Sequence, residues 1–330
     1  MSARAVLVVR PDRIGDVVLT TPVFTALRHA WPDARIGALV RPEVAPLLEG
    51  NPDVDAVVLE RGQPLGELTR ELRAGGWETS VHSFLTSRTV LAAALAGIPR
   101  RVGPASKLAA LLLTRRVIQH RSRSARHEAD YNLELLQPLG IPFTRRLTRL
   151  VLSETEREWG RRHLAELGLG PGRPIVGIHP GSGNSAGRWP LERYAALADR
   201  LMAEGERVLL TFGPGETDLA DAMRAALRTA APIVRPGGVT LREMAAILAA
   251  LDLFVTNSTG PLHMAVALEV PAVSFFGLTP ATRPARWGPY APGHIVLTPP
   301  DTPDSWSRFD RIPLDAALEA CARQLARHAR

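Results

Sequence analysis

The strongest constraint on what this chain can fold into is a repeated alternation. A short aliphatic run is followed by a polar or glycine-bearing turn, and then by a stretch of helical periodicity. In the first half, residues 6–9, 35–40, 54–59 and 80–84 read as strands, and 17–30, 43–49 and 65–74 as the helices between them. Such uninterrupted apolar runs suit strands buried on both faces, as in a parallel sheet covered by helices. The pattern restarts after an arginine-rich stretch at 100–130, a helical segment at 131–139, a connector at 144–152 and an exposed helix at 154–167. Residues 174–179, 207–212, 253–256 and 272–276 then read as strands, with helices at 191–204, 218–227, 241–250 and 261–268. The expectation is an α/β chain of two Rossmann-like, doubly wound domains, 1–152 and 153–330, facing a central cleft. A last helix at 314–328 has the option of packing back on the first domain.

A chain of 330 residues is the right length for two domains. Its net charge of +7 rests almost wholly on arginine, since Lys107 is the only lysine. That surplus is compatible with a coding bias and with an anionic partner alike. No zinc-finger, RNP or K-homology pattern accompanies it, so nucleic acid is not an expected partner. Cys321 is the sole cysteine, which excludes an intrachain disulfide and any multi-cysteine metal site. The apolar run at 5–9 is too short for a signal peptide, and no stretch approaches the ~20 apolar residues of a membrane span. The cytoplasm is the expected compartment.

In doubly wound sheets ligands bind beyond the carboxyl ends of the strands, so the strand-to-helix loops carry the functional reading. The first, Arg10-Pro11-Asp12-Arg13-Ile14-Gly15-Asp16, places Asp16 either as a helix N-cap or as a base facing the cleft. It has no GxGxxG, so a dinucleotide fingerprint is not supported. The second runs from His179-Pro180-Gly181-Ser182-Gly183 to Gly187-Arg188-Trp189-Pro190. Small residues there expose backbone N–H groups and Arg188 adds a fork donor, which suits a pyrophosphate; a plain flexible loop is the other reading. The third, Asn257-Ser258-Thr259-Gly260-Pro261-Leu262-His263, is either a well-capped helix start or an anion site at a helix N-terminus. The fourth, Gly213-Pro214-Gly215-Glu216, offers Glu216 as a ribose acceptor or as an ordinary first-turn residue.

Asp53-Val54-Asp55 has the Asp-x-Asp form of a metal site, but it follows the turn Asn51-Pro52 and reads as solvated turn residues. Histidines 29, 82, 120, 127, 294 and 328 have no zinc spacing. No metal and no cofactor are expected.

The run Arg13-Ile14-Gly15-Asp16-Val17-Val18-Leu19-Thr20-Thr21-Pro22 and the blocks at 179–190 and 256–263 resemble glycosyltransferase family 9, the family of ADP-heptose:lipopolysaccharide heptosyltransferases. The resemblance spans nearly the whole chain, including Leu113-Thr114-Arg115-Arg116 and Arg286-Trp287-Gly288-Pro289. It implies a GT-B fold, with an acceptor domain first and a donor domain second, and an inverting, metal-independent transfer. It places the base on Asp16. Donor binding falls on His179, Gly181, Ser182, Gly183, Arg188, Trp189, Glu216, Asn257, Ser258, Thr259, Gly260 and His263. The implied donor is ADP-heptose and the implied acceptor a glycan such as lipopolysaccharide core. Two positions depart from the family pattern. Gly187 stands where a lysine is common before Arg-Trp-Pro, and Ser258 where an aspartate is common. They leave another nucleotide sugar, a small-molecule acceptor and a non-catalytic binding relative as alternatives.

On the acceptor side the expected residues are Arg13, Gly15, Arg115, Arg116 and Arg126. The arginines suit an anionic or lipid-linked glycan, and the apolar run 108–113 among them suits peripheral contact with an anionic membrane surface. A solvated basic face over a core helix is the competing reading.

Overall fold

A computed structural model of the protein describes residues 4–182, 187–234 and 237–328. The chain divides into two compact units, Met1–Val151 and Leu152–Arg330. Each is built on one six-stranded sheet.

The first sheet contains β1 (Ala5–Val9), β2 (Arg35–Val40), β3 (Ala56–Leu59), β4 (Thr79–His82), β5 (Arg100–Pro104) and β6 (Arg115–Val117), in the order β3-β2-β1-β4-β5-β6. All of its pairings are parallel. Its helices are α1 (Ile14–Val18), α2 (Thr21–Ala30), α3 (Leu65–Ala74), α4 (Ser87–Leu95) and α5 (Glu128–Glu134). The second sheet contains β7 (Ile175–His179), β8 (Arg207–Thr211), β9 (Ile233–Val234), β10 (Leu253–Asn257), β11 (Ala272–Phe275) and β12 (Ile295–Leu297), in the order β12-β11-β10-β7-β8-β9. It too is parallel throughout. Around it lie α6 (Glu154–Glu166), α7 (Leu191–Ala203), α8 (Thr217–Ala226), α9 (Leu241–Leu248), α10 (Gly260–Ala267), α11 (Pro284–Trp287) and α12 (Leu314–His328).

Read from either end, both sheets have the same winding: three strands laid down in one direction, then three in the other. The direction reverses between β1 and β4 in the first unit and between β7 and β10 in the second. A doubly wound sheet opens a crevice for ligands at such a point. The central strands are fully enclosed: Val6, Leu7 and Val8 in β1 and Val176 and Ile178 in β7 are solvent-inaccessible. This is why these strands read as continuous rather than alternating apolar runs.

The structure refines several expectations. The helix expected over 17–30 is two helices, because the hydroxyls of Thr20 and Thr21 bond back to the carbonyls of Asp16 and Val18 (2.8 and 2.7 Å) and Pro22 opens α2. Of the pair expected as solvated turn residues, Asp53 lies in the turn but is shielded from solvent, whereas Asp55 follows the turn and is exposed. Asp53 is buried and accepts from the Thr25 hydroxyl at 2.6 Å, while Asp55 accepts from the Ile36 amide and Arg28 (2.7 and 2.6 Å). The run 108–113 is a short 3-10 turn, Leu108–Leu112, and not a core helix. α12, for which a return to the first domain was open, contributes Ala317, Ala320 and Cys321 to the core of the second unit. Burial there pushes the Cys321 thiol up to about 12, so it remains a neutral packing group. Among the described residues no helix is long and apolar enough to cross a membrane.

Candidate active site

At the reversal point of the first sheet the chain leaves β1 into Arg10, whose side chain is 3% exposed. A guanidinium buried this deeply needs partners, and it has several. It donates to the Asp16 carboxylate, to Glu128 Oε1 (3.2 Å), to the Ser83 carbonyl (3.0 Å) and to Asn132 Oδ1 (3.4 Å). Asp12 lies 3.7 Å away. Glu128, 1% exposed, is shared with Arg121 at 2.6 Å. Asn132, one turn along α5, donates to the Leu19 carbonyl and the Thr20 hydroxyl, both at 3.2 Å. One buried network thus ties the β1–α1 loop to α5.

Asp16 is not the N-cap of α1. That position is held by Arg13, which makes no side-chain cap bond, and Asp16 sits in the first turn. Its side chain keeps 16% of its exposure, on the edge of the network. Burial pushes the Asp16 carboxyl above the usual carboxylate range, with the Arg10 guanidinium pulling against it. A carboxylate oriented by an arginine, raised in basicity and still reachable from solvent, is equipped to accept a proton.

The other residues expected on the acceptor side are placed apart from this network or at its rim. Arg13 is exposed and Gly15 half-buried beside Asp16. Arg116 donates to the carbonyls of Ala110 and Leu111 (2.9 and 3.4 Å) and so closes the 3-10 turn. Arg126 pairs with Glu134, and Arg115 is exposed on β6. Sequence reasoning missed Arg10, Glu128, Asn132 and Arg121. A signal was present: Glu128 and Asn132 stand four residues apart among the buried Ala129, Tyr131 and Leu133, which puts two polar groups on one turn of an apolar helix.

In the second unit the loops after β7 and β10 flank the reversal point together. Asn257 joins them: its amide donates to the carbonyls of Pro180 and Gly181 (2.9 and 3.1 Å), and its Oδ1 accepts from the Trp189 backbone amide at 3.0 Å. Trp189 is fully buried, stacked on Phe275 with ring centroids 4.3 Å apart, and gives its indole N–H to the Ile312 carbonyl at 3.0 Å. These two side chains therefore shape the loop from within. Gly183 lies outside the described residues.

Glu216 comes to the same place from β8. Its carboxylate accepts from the Gly213 amide at 2.7 Å and lies 3.8 Å from His179 Nε2; it does not cap α8. A Cβ added to Gly181 would fall 2.3 Å from the Glu216 oxygens, so glycine is what lets this carboxylate lie against the loop. His179 also meets the Thr211 hydroxyl at 3.2 Å, and burial lowers its pKa, against the raising effect of Glu216, which favours the neutral ring.

At the start of α10, Thr259 holds the N-cap position without a side-chain cap bond, its hydroxyl lying 3.2 Å from that of Thr256. Ser258 and Gly260 are half-buried and His263 is buried in the first turns. Among the described residues no side-chain cap bond closes the start of this helix. Arg188 is exposed, as is Gly187 beside it. A Cβ at Gly187 would lie 2.5 Å from the Phe309 ring, so the buried phenyl stands where a longer side chain would have to begin. Among the described residues no group of three His, Cys, Asp or Glu side chains is placed to hold a metal ion.

Removing Arg10 strands Asp16 and Glu128 as underpaired carboxylates. Arg10→Met is expected to lower unfolding stability by about 3–5 kcal/mol, whereas Arg115→Ala should stay within about 0.5 kcal/mol of the parent. Urea unfolding measures both, and equal stability of the two variants would contradict the network.

Comparison with known proteins bears on this geometry. The family described as glycosyltransferase family 9 (heptosyltransferase) matches residues 67–305. A Haemophilus influenzae protein, whose name goes no further than glycosyltransferase, is 32% identical over 326 residues, covering 95% of this chain and 94% of its own. Lipopolysaccharide heptosyltransferase 2 of Escherichia coli K12 is 30% identical over 298 residues, 82% of each chain. Among solved structures, a family 9 glycosyl transferase from Veillonella parvula superposes with a TM-score of 0.87 at 24% identity, covering 98% of this chain and 97% of that one. The E. coli ADP-heptose lps heptosyltransferase II does so with a TM-score of 0.85 at 23% identity, covering 99% and 100%. These last two establish the GT-B-type fold of paired parallel sheets. The family match and the extent of the sequence relatives establish the rest: this chain belongs to glycosyltransferase family 9.

Proposed function

We propose that the protein is an inverting heptosyltransferase. It moves a heptose, or a closely related sugar, from an ADP-sugar to a glycan acceptor of the lipopolysaccharide-core type, with Asp16 as general base and without a metal ion. The observation that carries this reading is the convergence at the second reversal point. The 179–182 loop, the uncapped start of α10 and the Glu216 carboxylate meet there, with Asn257 holding the two loops together. Backbone amides and a helix N-terminus suit the diphosphate, and Glu216 suits ribose hydroxyls.

In the reaction the acceptor hydroxyl gives its proton to Asp16 as its oxygen bonds to the anomeric carbon from the face opposite the leaving group. The bond from that carbon to the diphosphate breaks, and the electron pair leaves with the nucleotide. A placed base contributes on the order of 10²–10⁴-fold. Charge growing on the diphosphate is met by the amides of the two loops and by Arg188, which acts in place of the lysine common at position 187.

One observation favours a second reading of the donor. Gly187 is wedged against Phe309, and Ser258 brings a hydroxyl where a carboxylate is common, so the pocket for the sugar and diphosphate differs from the family pattern. Calorimetry with ADP, UDP, GDP and dTDP separates the two. Preference for ADP supports the first reading; preference for another nucleotide replaces the donor. Binding of none of them would remove the donor-site assignment.

Asp16→Asn is expected to keep nucleotide affinity and lose at least about 100-fold in turnover. Because burial raises the Asp16 pKa and the base must be ionised, turnover in the parent should fall as pH drops through that raised value. Near-parental turnover of Asp16→Asn, or a flat acid limb in the parent, would contradict the base assignment.

We further propose that the acceptor is lipid-linked and is met at the cytoplasmic membrane surface. Leu108, Leu111 and Ile118 are 84%, 66% and 78% exposed. The Ala105 amide bonds the Val117 carbonyl, and Arg116 bonds Ala110, both at 2.9 Å, which gathers these residues at one edge of the first sheet. Residues 79–127 carry nine lysines and arginines and no acidic residue. Apolar groups in a basic surround suit an anionic bilayer. The protein should sediment with phosphatidylglycerol vesicles and not with phosphatidylcholine vesicles, less so at high salt. The pair Leu108→Ser and Leu111→Ser should weaken this by about tenfold. Failure to sediment with either vesicle would refute the membrane contact alone.

A further inference from the structure

Beyond Arg10 the buried network continues away from the proposed base, through Glu128 to Arg121. Arg121 lies in the 3-10 turn Arg121–Arg123, between β6 and α5. Its side chain is 18% exposed. Its Nε donates to Gln119 Oε1 at 2.9 Å, and its ring-facing guanidinium lies 5.6 Å from the centre of Tyr131. Gln119 is held in turn, its amide donating to the Tyr131 carbonyl at 2.6 Å and to Glu134 Oε2 at 3.2 Å. An arginine fixed at so many points is not a freely solvated surface charge.

Arg10 and Arg121 use the same acceptor atoms. Glu128 Oε1 lies 2.6 Å from Arg121 Nη1 and 3.2 Å from Arg10 Nη1. The Ser83 carbonyl lies 3.3 Å from the first and 3.0 Å from the second. Asn132 Oδ1 is reached by Arg121 Nη2 at 3.5 Å and by Arg10 Nη1 at 3.4 Å. All the shared acceptors thus fall on the Nη1 end of Arg10. The Nη2 end meets Asp16 and, at 3.7 Å, Asp12. A charge-assisted bond strengthens as it shortens, so Arg121 takes the larger share of the Glu128 charge. Arg10 is left with the smaller share of Glu128 and its whole Nη2 end for Asp16.

We propose that Glu128 and Arg121 are positioning residues for the transfer: they clamp one end of Arg10 and so decide how far its other end commits to Asp16. This rests on the reading of Asp16 as the base. The charged groups around Asp16 are Arg10 and Asp12 on its own loop, the exposed Arg13, Glu128 on α5, and Arg121 behind it. Lys107 shares the Phe84 ring with Arg10, at 4.9 and 5.8 Å. His82, next to Ser83, is buried and its pKa lowered to about 3, mainly by that burial, so it stays neutral. Burial raises the Asp16 carboxyl most, Arg10 opposes it, and Asp12 and Glu128 add to the rise. Neutralising Glu128 therefore releases Arg10 to Asp16 and makes the base weaker. Neutralising Arg121 leaves Glu128 to Arg10 alone and makes the base stronger. The two variants act in opposite directions, which a merely structural role does not produce.

The Asp16 titration can be read without any substrate, by carbon-13 NMR of the full chain labelled at its aspartate carboxyl carbons. The Asp16 signal is the one missing from Asp16→Asn. Glu128→Gln should lower the Asp16 midpoint by about 0.5–1 pH unit, and Arg121→Gln should raise it by a similar amount. The acid limb of turnover should move with each midpoint. Arg121 is partly exposed on a short turn, so Arg121→Gln carries the test alone if Glu128→Gln does not fold. Midpoints that stay at the parental value while turnover falls, or that move in the same direction in both variants, overturn the proposal. Either result leaves the base reading standing, since that reading is decided by the turnover of Asp16→Asn. Near-parental turnover of Asp16→Asn, with the midpoints shifted as expected, would instead remove the base and keep the clamp on Arg10.

Discussion

The first unit depends on how one guanidinium is placed. Arg10 ends the central strand, is almost fully enclosed, and meets Asp16, Asp12 and Glu128. Taking such a charge out of water is costly unless partners surround it. The partners come from three parts of the chain: the β1–α1 loop, the end of β4 through the Ser83 carbonyl, and α5 through Glu128 and Asn132. The same contact that makes the buried arginine tolerable also orients the Asp16 carboxylate. Stability and the proposed chemistry therefore share one interaction, and a substitution at Arg10 disturbs both.

The second unit solves a different problem with the same winding. There no buried charge has to be matched, and the side chains brace the loop backbone instead. Asn257 uses its amide and its oxygen on the backbone of the 179–189 loop, and Trp189 anchors the far end of that loop in the core against Phe275. Neither Thr259 nor Glu216 caps the helix it precedes. A doubly wound sheet brings its loops together at the point where its direction reverses. Repeated twice, that geometry gives one edge suited to a base and its acceptor, and another suited to an anion.

Much of this could be read in the sequence where the determinant is local. Enclosed strands are uninterrupted aliphatic runs, so the central strands of both sheets and the loops that follow them were legible, whereas β5 and β6 were hidden in the arginine-rich stretch. What could not be read depends on distant residues. Glu128 and Asn132 reach Arg10 across 118 and 122 positions. Asp53 looks like a solvated turn residue until Thr25, 28 positions away, is seen to donate to it. The missing side chain at Gly187 has its structural reason in Phe309, which only the fold brings near. The two-residue β9 and three-residue β12 are too short to carry a pattern. The arginines at 115, 116 and 126 drew notice by density alone, whereas structure separates Arg116, which holds carbonyls, and Arg126, which pairs with Glu134, from the exposed Arg115.

The central claim is a single displacement in which Asp16 takes the acceptor proton while the nucleotide leaves from the opposite face. Proton NMR of the new glycosidic linkage tests it most directly, with the purified protein, an ADP-heptose of defined anomeric configuration and its acceptor. The account predicts a product whose anomeric configuration is opposite to that of the donor. Retention of the donor's configuration would require two displacements or front-side attack, and would contradict it.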